Sequence, residues 1–472
     1  MKFNLLRRLL STEYMVKEDM RRGDITPSRE AYGATLLIAL PAVAEMVSLA
    51  LMAMIDTVMV GRLGPHAVAA VGLTTQPRML FLSIFFALNV AVTAIIARNK
   101  GAGDMDAAKS CLRHALVLVA VLGTLLTVGA VLLARPMMIL AGAQADTIVE
   151  ATSYFRITGG ALLIQIMTGT ICAAQRACGN TKITLKVNVT AKIISVALNF
   201  VLIEGRLGFP AMGVDGAAWS TVIAAVVAFG LALNSIMNKD SMLRVSTRDN
   251  WRFEKSMMKS ISKLTSGGLV EQVGLRFGFF AYARVVAGLG SDDFAAHLIA
   301  MQLMVLSFTF ADGIGAATTS LVGQNLGKKR PDLSIMYGKI GLRLAFGVAA
   351  VLSVTCILIR FHFPLLFVPS ADYIHIVHTS AGLIMILALI LPLQTTQLVM
   401  GGSLRGAGDT RYVAITMILT VGVLRPLLGF MFTYPLGLGL VGAWVAIIFD
   451  QAARLVMLFT RFVRGRWTTA TL

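Results

Sequence analysis

Residues 35–61 read TLLIALPAVAEMVSLALMAMIDTVMVG, a membrane-length apolar run that carries two carboxylates, Glu45 and Asp56. They stand eleven positions apart. At 100° and 1.5 Å per residue, a helix brings both to one side, about 16 Å from each other. A carboxylate near the middle of a bilayer costs roughly 2.5–3.5 kcal/mol even on lenient insertion scales, so such groups face a bundle interior or a water-filled cavity. Both acids are therefore candidates for function; the plainer alternative is that each satisfies a neighbouring helix. Pro41 removes a backbone donor and predicts a kink near residues 37–41.

Working outward, the rest of the chain resembles this stretch in kind. Over 472 residues it is 57% hydrophobic and 14% charged, with a mean hydropathy of +0.78, which places it among polytopic membrane proteins and leaves no soluble domain. Twelve apolar runs between residues 33 and 462 are read as spans. The net charge of +18 raises the question of a nucleic-acid partner, and its distribution answers it. Of 42 Lys and Arg, 31 fall on one side of the predicted topology, 4 on the other and 7 within spans. Positive loops stay in the cytoplasm, so the bias puts both termini there, in a multi-pass inner (plasma) membrane protein, and nucleic acid is not needed to explain it. Residues 1–30, with Leu5, Leu6, Leu9 and Leu10 among Arg7, Arg8 and Lys17, read as an amphipathic segment on the cytoplasmic surface. The four cysteines lack metal-ligand spacing and read as reduced thiols.

The chain also repeats. A shift of 226 residues aligns Glu45 with Glu271, Gln76 with Gln302, Thr93 with Thr319 and Asn99 with Asn325; a shift of 229 aligns Arg176-Ala-Cys-Gly-Asn-Thr181 with Arg405-Gly-Ala-Gly-Asp-Thr410. The unit is six spans long, so the two halves have the same orientation and are expected to be related by a pseudo-twofold axis along the membrane normal. The expected organisation is a segment 1–30, an N-lobe 31–237, a cytoplasmic linker 238–258, a C-lobe 259–463 and a tail 464–472.

These motifs resemble the multidrug and toxic-compound extrusion (MATE) antiporters across nearly the whole chain after residue 30. The pieces that carry the resemblance are LPAVAEMVSLALMAMIDTVMVGRLG at 40–64, LVGQNLGKK at 321–329, the paired QRACGNTK and LRGAGDTR turns, and GVDGAAWST at 213–221. The resemblance implies twelve helices in two lobes, a V-shaped cavity, and export of amphipathic, often cationic compounds against H+ or Na+ entry. It sets Asp56 on the family's first-helix aspartate and Pro41 on its kinking proline. The family's cation site adds an Asn and an Asp four apart on the fifth helix and a Thr on the sixth. Here the fifth helix offers Ser195 and Asn199, an amide in place of one acid, and Thr221 is the nearest sixth-helix hydroxyl. Lys192, nearly two turns before Asn199, shares its face; pairing with Asp56 and snorkelling to the interface are both open.

Other intramembrane polar residues are candidates for a substrate cavity. Glu271 echoes Glu45. Arg276 is about 140° around the helix from Glu271 and needs a partner elsewhere, a structural ion pair being preferred to substrate contact. Asp312 faces a cavity or pairs with Arg284. Gln76 and Gln302 are cavity candidates whose plainer role is interhelical hydrogen bonding. Two other functions compete: a lipid-linked oligosaccharide flippase, which would want several cavity-facing cations, and an intramembrane aspartyl protease, suggested by Gly406-Ala-Gly-Asp409. The repeat mate of Asp409 is Asn180, as turn chemistry requires and a two-aspartate mechanism does not. The chain therefore reads as a secondary antiporter, not an enzyme, that needs no cofactor or metal and acts as a monomer in the bilayer. Its partners are small organic cations. Ligand counting favours H+ over Na+: Na+ wants several fixed oxygens and more than one negative charge, whereas a proton needs one carboxylate.

Overall fold

The computed structural model describes residues 11–63, 65–143, 147–238, 241–246, 249, 251, 254–367 and 374–469, apart from the side chains at 65, 66, 68, 69, 76, 291 and 469. Among these residues the chain is helical and contains no strand. The principal helices are α1 (Ser28–Gly61), α2 (Pro65–Ala102), α3 (Met105–Leu132), α4 (Ile148–Gly160 and Leu162–Ala177), α5 (Thr181–Leu202) and α6 (Gly213–Met237) in the first half. The second half has α7 (Lys255–Ala287), α8 (Ser291–Gly327), α9 (Pro331–Ile359), α10 (Ile374–Gly406), α11 (Thr410–Thr433) and α12 (Gly439–Val463). Ten of these are long and apolar enough to cross a bilayer, and α4, whose two pieces meet at 47°, makes an eleventh. The twelfth is α7. Its 33 residues exceed the roughly 20 a span needs, but it carries Lys255, Lys259, Lys263, Glu271, Arg276 and Arg284 and is much more polar than the others. The protein is thus an all-α polytopic membrane protein with a twelve-helix, two-lobe layout.

The helices divide into two compact units, Ala44–Thr265 and Ser266–Leu472, the latter joined by the chain up to Val43. The expected N-lobe boundary at residue 31 therefore differs from the observed one: α1 runs without interruption through Pro41 and changes unit two residues later. The reason is close packing. A Cβ on Gly313 of α8 would lie 2.5–2.7 Å from atoms of Val43, so the two helices approach more closely than any side chain permits. Hydropathy follows chain order and cannot register such a contact.

Of the amphipathic segment expected over 1–30, residues 11–27 form only the short turns Glu13–Met15 and Glu18–Met20. Met15 and Val16 are buried with Leu321, Leu333, Met336 and Tyr337. Polar contacts tie the same strap to α9: the Arg22 amide donates to Asp332 Oδ2 at 3.1 Å, Arg330 to the Asp24 carbonyl at 2.8 Å, and Lys339 to the Met15 carbonyl at 2.6 Å. Leu5, Leu6, Arg7, Arg8, Leu9 and Leu10 lie outside the described residues. The linker, in turn, packs on the first unit. Leu243 and Val245 are buried, Arg113 pairs with Asp249 at 3.4 Å, and the Glu254 amide donates to His114 Nε2 at 2.8 Å. The tail folds back through Trp467, which is buried and stacked on Phe462.

Candidate functional site

Asp56 opens onto a cavity of about 190 Å³ inside the first unit, lined also by Thr75, Tyr154, Asn199, Ala217 and Thr221. Lys192 forms an ion pair with Asp56 Oδ2, and Asn199 Nδ2 donates to Oδ1 at 2.9 Å. Both donors come from one face of α5, as their seven-residue spacing requires. A carboxylate only accepts hydrogen bonds, so Asn199 must turn its NH2 toward Asp56; its carbonyl then faces Ser220, whose hydroxyl donates to it. The sixth-helix hydroxyl in this relay is thus Ser220. Thr221, the expected one, donates to the Ala217 carbonyl of its own helix at 3.0 Å and lines the cavity beside Tyr154. Ser195 is buried one turn before Asn199, and its hydroxyl has no hydrogen-bond partner among the described residues. Asp56 and Lys192 stay 23% and 28% exposed, so the protein does not seal the pair.

Glu45 sits differently. Only 1% exposed, it accepts from Arg176 at 3.0 Å and Asn188 at 2.7 Å through Oε1, and from Thr184 at 2.5 Å through Oε2. Glu271 is buried against Arg405. Arg405 is the repeat mate of Arg176, so each lobe closes the same glutamate–arginine pair. Of the two readings of these acids, cavity group or partner of a neighbouring helix, this geometry matches the second. A buried carboxylate already saturated by donors is a cross-brace between helices, and breaking it would strand an arginine in a low dielectric.

A family profile described as MatE matches residues 41–201 and again 269–431, once in each half. The chain belongs to the MatE family. It is 28% identical over 437 residues to the probable multidrug resistance protein NorM of Thermotoga maritima, covering 91% of this chain and 92% of that one. It is also 28% identical over 450 residues to the multidrug resistance protein PmpM of Pseudomonas aeruginosa, covering 91% of each. Among solved structures, a MOP-superfamily transporter from Pyrococcus furiosus, described as having a binding pocket of reverse polarity, superposes with a TM-score of 0.87 at 22% identity over 98% of this chain and 99% of that one. An outward-facing multidrug resistance MATE transporter gives 0.85 at 22% identity over 96% and 98%.

In this MatE chain the two lobes have diverged at the equivalent of the Asp56 site. At the 226-residue shift the mates of Asp56 and Asn199 are Tyr282 and Arg425. Arg425 Nε donates to Asp450 Oδ2 at 2.8 Å, Arg454 Nη2 to Asp450 Oδ1 at 2.6 Å, and Arg454 Nε to Thr420 at 3.1 Å. Thr420 lies in the π segment Ile418–Leu424 of α11, which ends at Arg425. Tyr282, also buried, donates to the Ala443 carbonyl at 2.9 Å. The triad is almost sealed, with exposures of 0–4%. Arg425 and Arg454 are two of the seven basic residues within the spans; Asp450 is not among the candidates above, although its i, i+4 spacing to Arg454 was a usable signal.

The remaining MatE candidates scatter. Asp312 is exposed at mid-helix, and Arg405, not Arg284, is the cation that acts on it. Arg276 makes no ion pair among the described residues, which corrects the expectation of one. Gln302 is exposed and makes no interhelical hydrogen bond among the described residues. The Gln76 side chain lies outside them. Asp409, the aspartate of the protease reading, pairs with Arg461 at 2.7 Å beside Gly408, whose φ of +90° marks a turn.

Proposed function

We propose that the chain is a multidrug efflux antiporter that exports amphipathic organic cations in exchange for protons by alternating access, with Asp56 as the coupling group. NorM and PmpM, named as multidrug resistance proteins, support the efflux reading. The observation that carries the coupling reading is the Lys192–Asp56 pair at the water-accessible cavity. One Asp56 oxygen accepts from Asn199 and the other from Lys192, so Na+ would have to displace a tethered cation and then find several more oxygens. A proton only has to reach Asp56. Protonation removes the charge that holds Lys192, frees α1 to change partners around Pro41, and narrows the cavity so that substrate leaves. A cationic substrate and a proton then compete for one carboxylate, which is the condition for antiport.

The experiment is dye efflux from proteoliposomes under a pH gradient alone and under a Na+ gradient alone. Ethidium efflux is expected with the first and not with the second; efflux driven by Na+ at fixed pH and indifferent to a collapsed pH gradient would exclude the proton.

The same reading places the protein in the inner (plasma) membrane with both termini cytoplasmic. The four native cysteines are buried, so single added cysteines report cleanly. Leu207→Cys and Leu436→Cys are expected to react with a membrane-impermeant maleimide in intact cells. Gly103→Cys should react only after permeabilisation, and its labelling in intact cells would reverse the topology.

A further inference from the structure

Each unit lays a strap of chain over the start of one helix, residues 11–27 over α9 and the linker over α3, and the two straps fit differently. At the 226-residue shift the two helices share an acid and a base: Asp106 matches Asp332, and Arg113 matches Lys339. On α9 the strap uses both up. Asp332, with no side-chain exposure, accepts from Arg330 and from the Arg22 amide, and Lys339 donates to the Met15 carbonyl. On α3 the same positions stay open. The Asp106 side chain is 97% exposed, and Arg113 meets the linker's Asp249 at 3.4 Å, with its own Nε buried and without a hydrogen-bond partner among the described residues. Between α3 and the linker lies a cavity of about 430 Å³, lined by Asp106, Lys109, Arg113, Arg244, Ser246 and Asp249.

The cavity suits an anion. Positions 106, 109 and 113 follow the i, i+3, i+7 stripe of one helix face, which puts all three on the side that lines it. Opposite them, Leu243 and Val245 are buried and Arg244 between them is exposed, so the apolar anchors aim the arginine outward into the cavity. The turn that follows is tied to itself: the Ser246 amide donates to Asp249 Oδ2 at 2.9 Å, and Trp251 Nε1 to the Ser246 carbonyl at 3.2 Å. Three cations thus face two acids, and neither acid cancels the surplus. Asp249 is held by the Ser246 amide and Arg113, while Asp106 pairs loosely with Lys109 at 3.6 Å. Arg244 makes no ion pair among the described residues.

A second feature says which anion. Sharing Arg113 with the cavity is a narrow slot lined by His114, Val117 and Trp251. Beyond His114, α3 carries no charged residue as far as Leu132, so Arg113 stands at the edge of the apolar span. Charge on one side of Arg113 and carbon on the other, at the level where a bilayer changes from headgroup to chain, match a phospholipid. A soluble phosphate would use the cavity and leave the slot idle.

We propose that Lys109, Arg113 and Arg244 bind the phosphate of an anionic phospholipid whose upper acyl chain lies in the slot between Val117 and Trp251. A lipid then fastens the linker to α3, as protein groups alone fasten the other strap to α9. The leaflet follows from the topology proposed above; the binding does not depend on it.

Trp251 is the reporter. The purified full chain is placed in phosphatidylcholine nanodiscs with a rising mole fraction of phosphatidylglycerol brominated high on its acyl chains, and fluorescence lost by wild type in excess of Trp251→Phe isolates Trp251. Brominated phosphatidylglycerol is expected to quench it at fractions where equally brominated phosphatidylcholine does not; equal quenching by the two overturns the proposal. Arg244→Gln or Lys109→Gln should each raise the half-quenching fraction about fivefold, and the double variant about twenty-five-fold, the size of one basic group apiece at an anionic surface. Both side chains reach solvent, so neither change threatens folding. An unmoved half-point in the double variant overturns the site. Lys259→Gln removes the same charge at an exposed α7 position outside the cavity and should leave the half-point in place; an equal shift there reduces the effect to surface potential and overturns the site as well. Finally, inorganic phosphate exchanged for chloride at constant ionic strength should not restore the fluorescence. Restoration would hand the cavity to soluble phosphate and overturn the lipid assignment.

Discussion

Asp56→Asn is expected to abolish gradient-driven efflux, to the leak of protein-free liposomes, under either a pH or a Na+ gradient, while the protein stays folded and inserted. An amide keeps the shape and can still accept from Asn199, but it neither takes up a proton nor carries the charge that Lys192 and a cationic substrate contest. Folding should survive because Lys192, 28% exposed at the cavity, still reaches water when its partner is gone. This is unlike a fully buried pair, where removing one ion strands the other. Asp56→Asn should therefore behave as a permanently protonated carrier: substrate binding weakened, monodispersity in detergent retained, coupled transport lost. Efflux at the wild-type rate by a purified, gradient-energised Asp56→Asn would remove Asp56 from the mechanism, whatever the driving ion.

The largest loss of stability is expected at Asp450→Asn. Asp450 is completely buried between Arg425 and Arg454, so losing its charge leaves two guanidinium groups without a counterion in the C-lobe. Breaking a buried pair from one side costs about 3–5 kcal/mol, a large share of the 5–15 kcal/mol by which domains are stable. The π segment that supplies Thr420 to Arg454 and leads into Arg425 should loosen with it. Thermal unfolding in detergent, followed by size-exclusion of the surviving monomer, checks this. A midpoint equal to wild type would mean that the triad does not hold α11 to α12. The contrast with Asp56 is the useful part: both are intramembrane aspartates bonded to cations, yet one should fail in transport and the other in folding, because only one is reached by water.

Fold class, span number and internal repeat were legible in the sequence because each is additive along the chain. Apolar runs of bilayer length and a bias of 31 basic residues against 4 need no knowledge of neighbours. Asp56, Lys192 and Asn199 were legible for a related reason: α5 has a fixed angular pitch, so residues 192 and 199 had to share a face whatever they met. Partner choice was not legible. Nothing in the chain says that Glu45 is closed by Arg176 and Glu271 by Arg405, that Ser220 rather than Thr221 completes the relay, or that Arg276 makes no ion pair among the described residues. Nor does it say that α1 changes unit two residues past Pro41. Sequence spacing fixes direction around one helix, but which side chains meet depends on the approach and rotation of a second. That is set by packing details such as the bare backbone of Gly313 against Val43, and a change of one residue there redirects every side chain on the facing stripe.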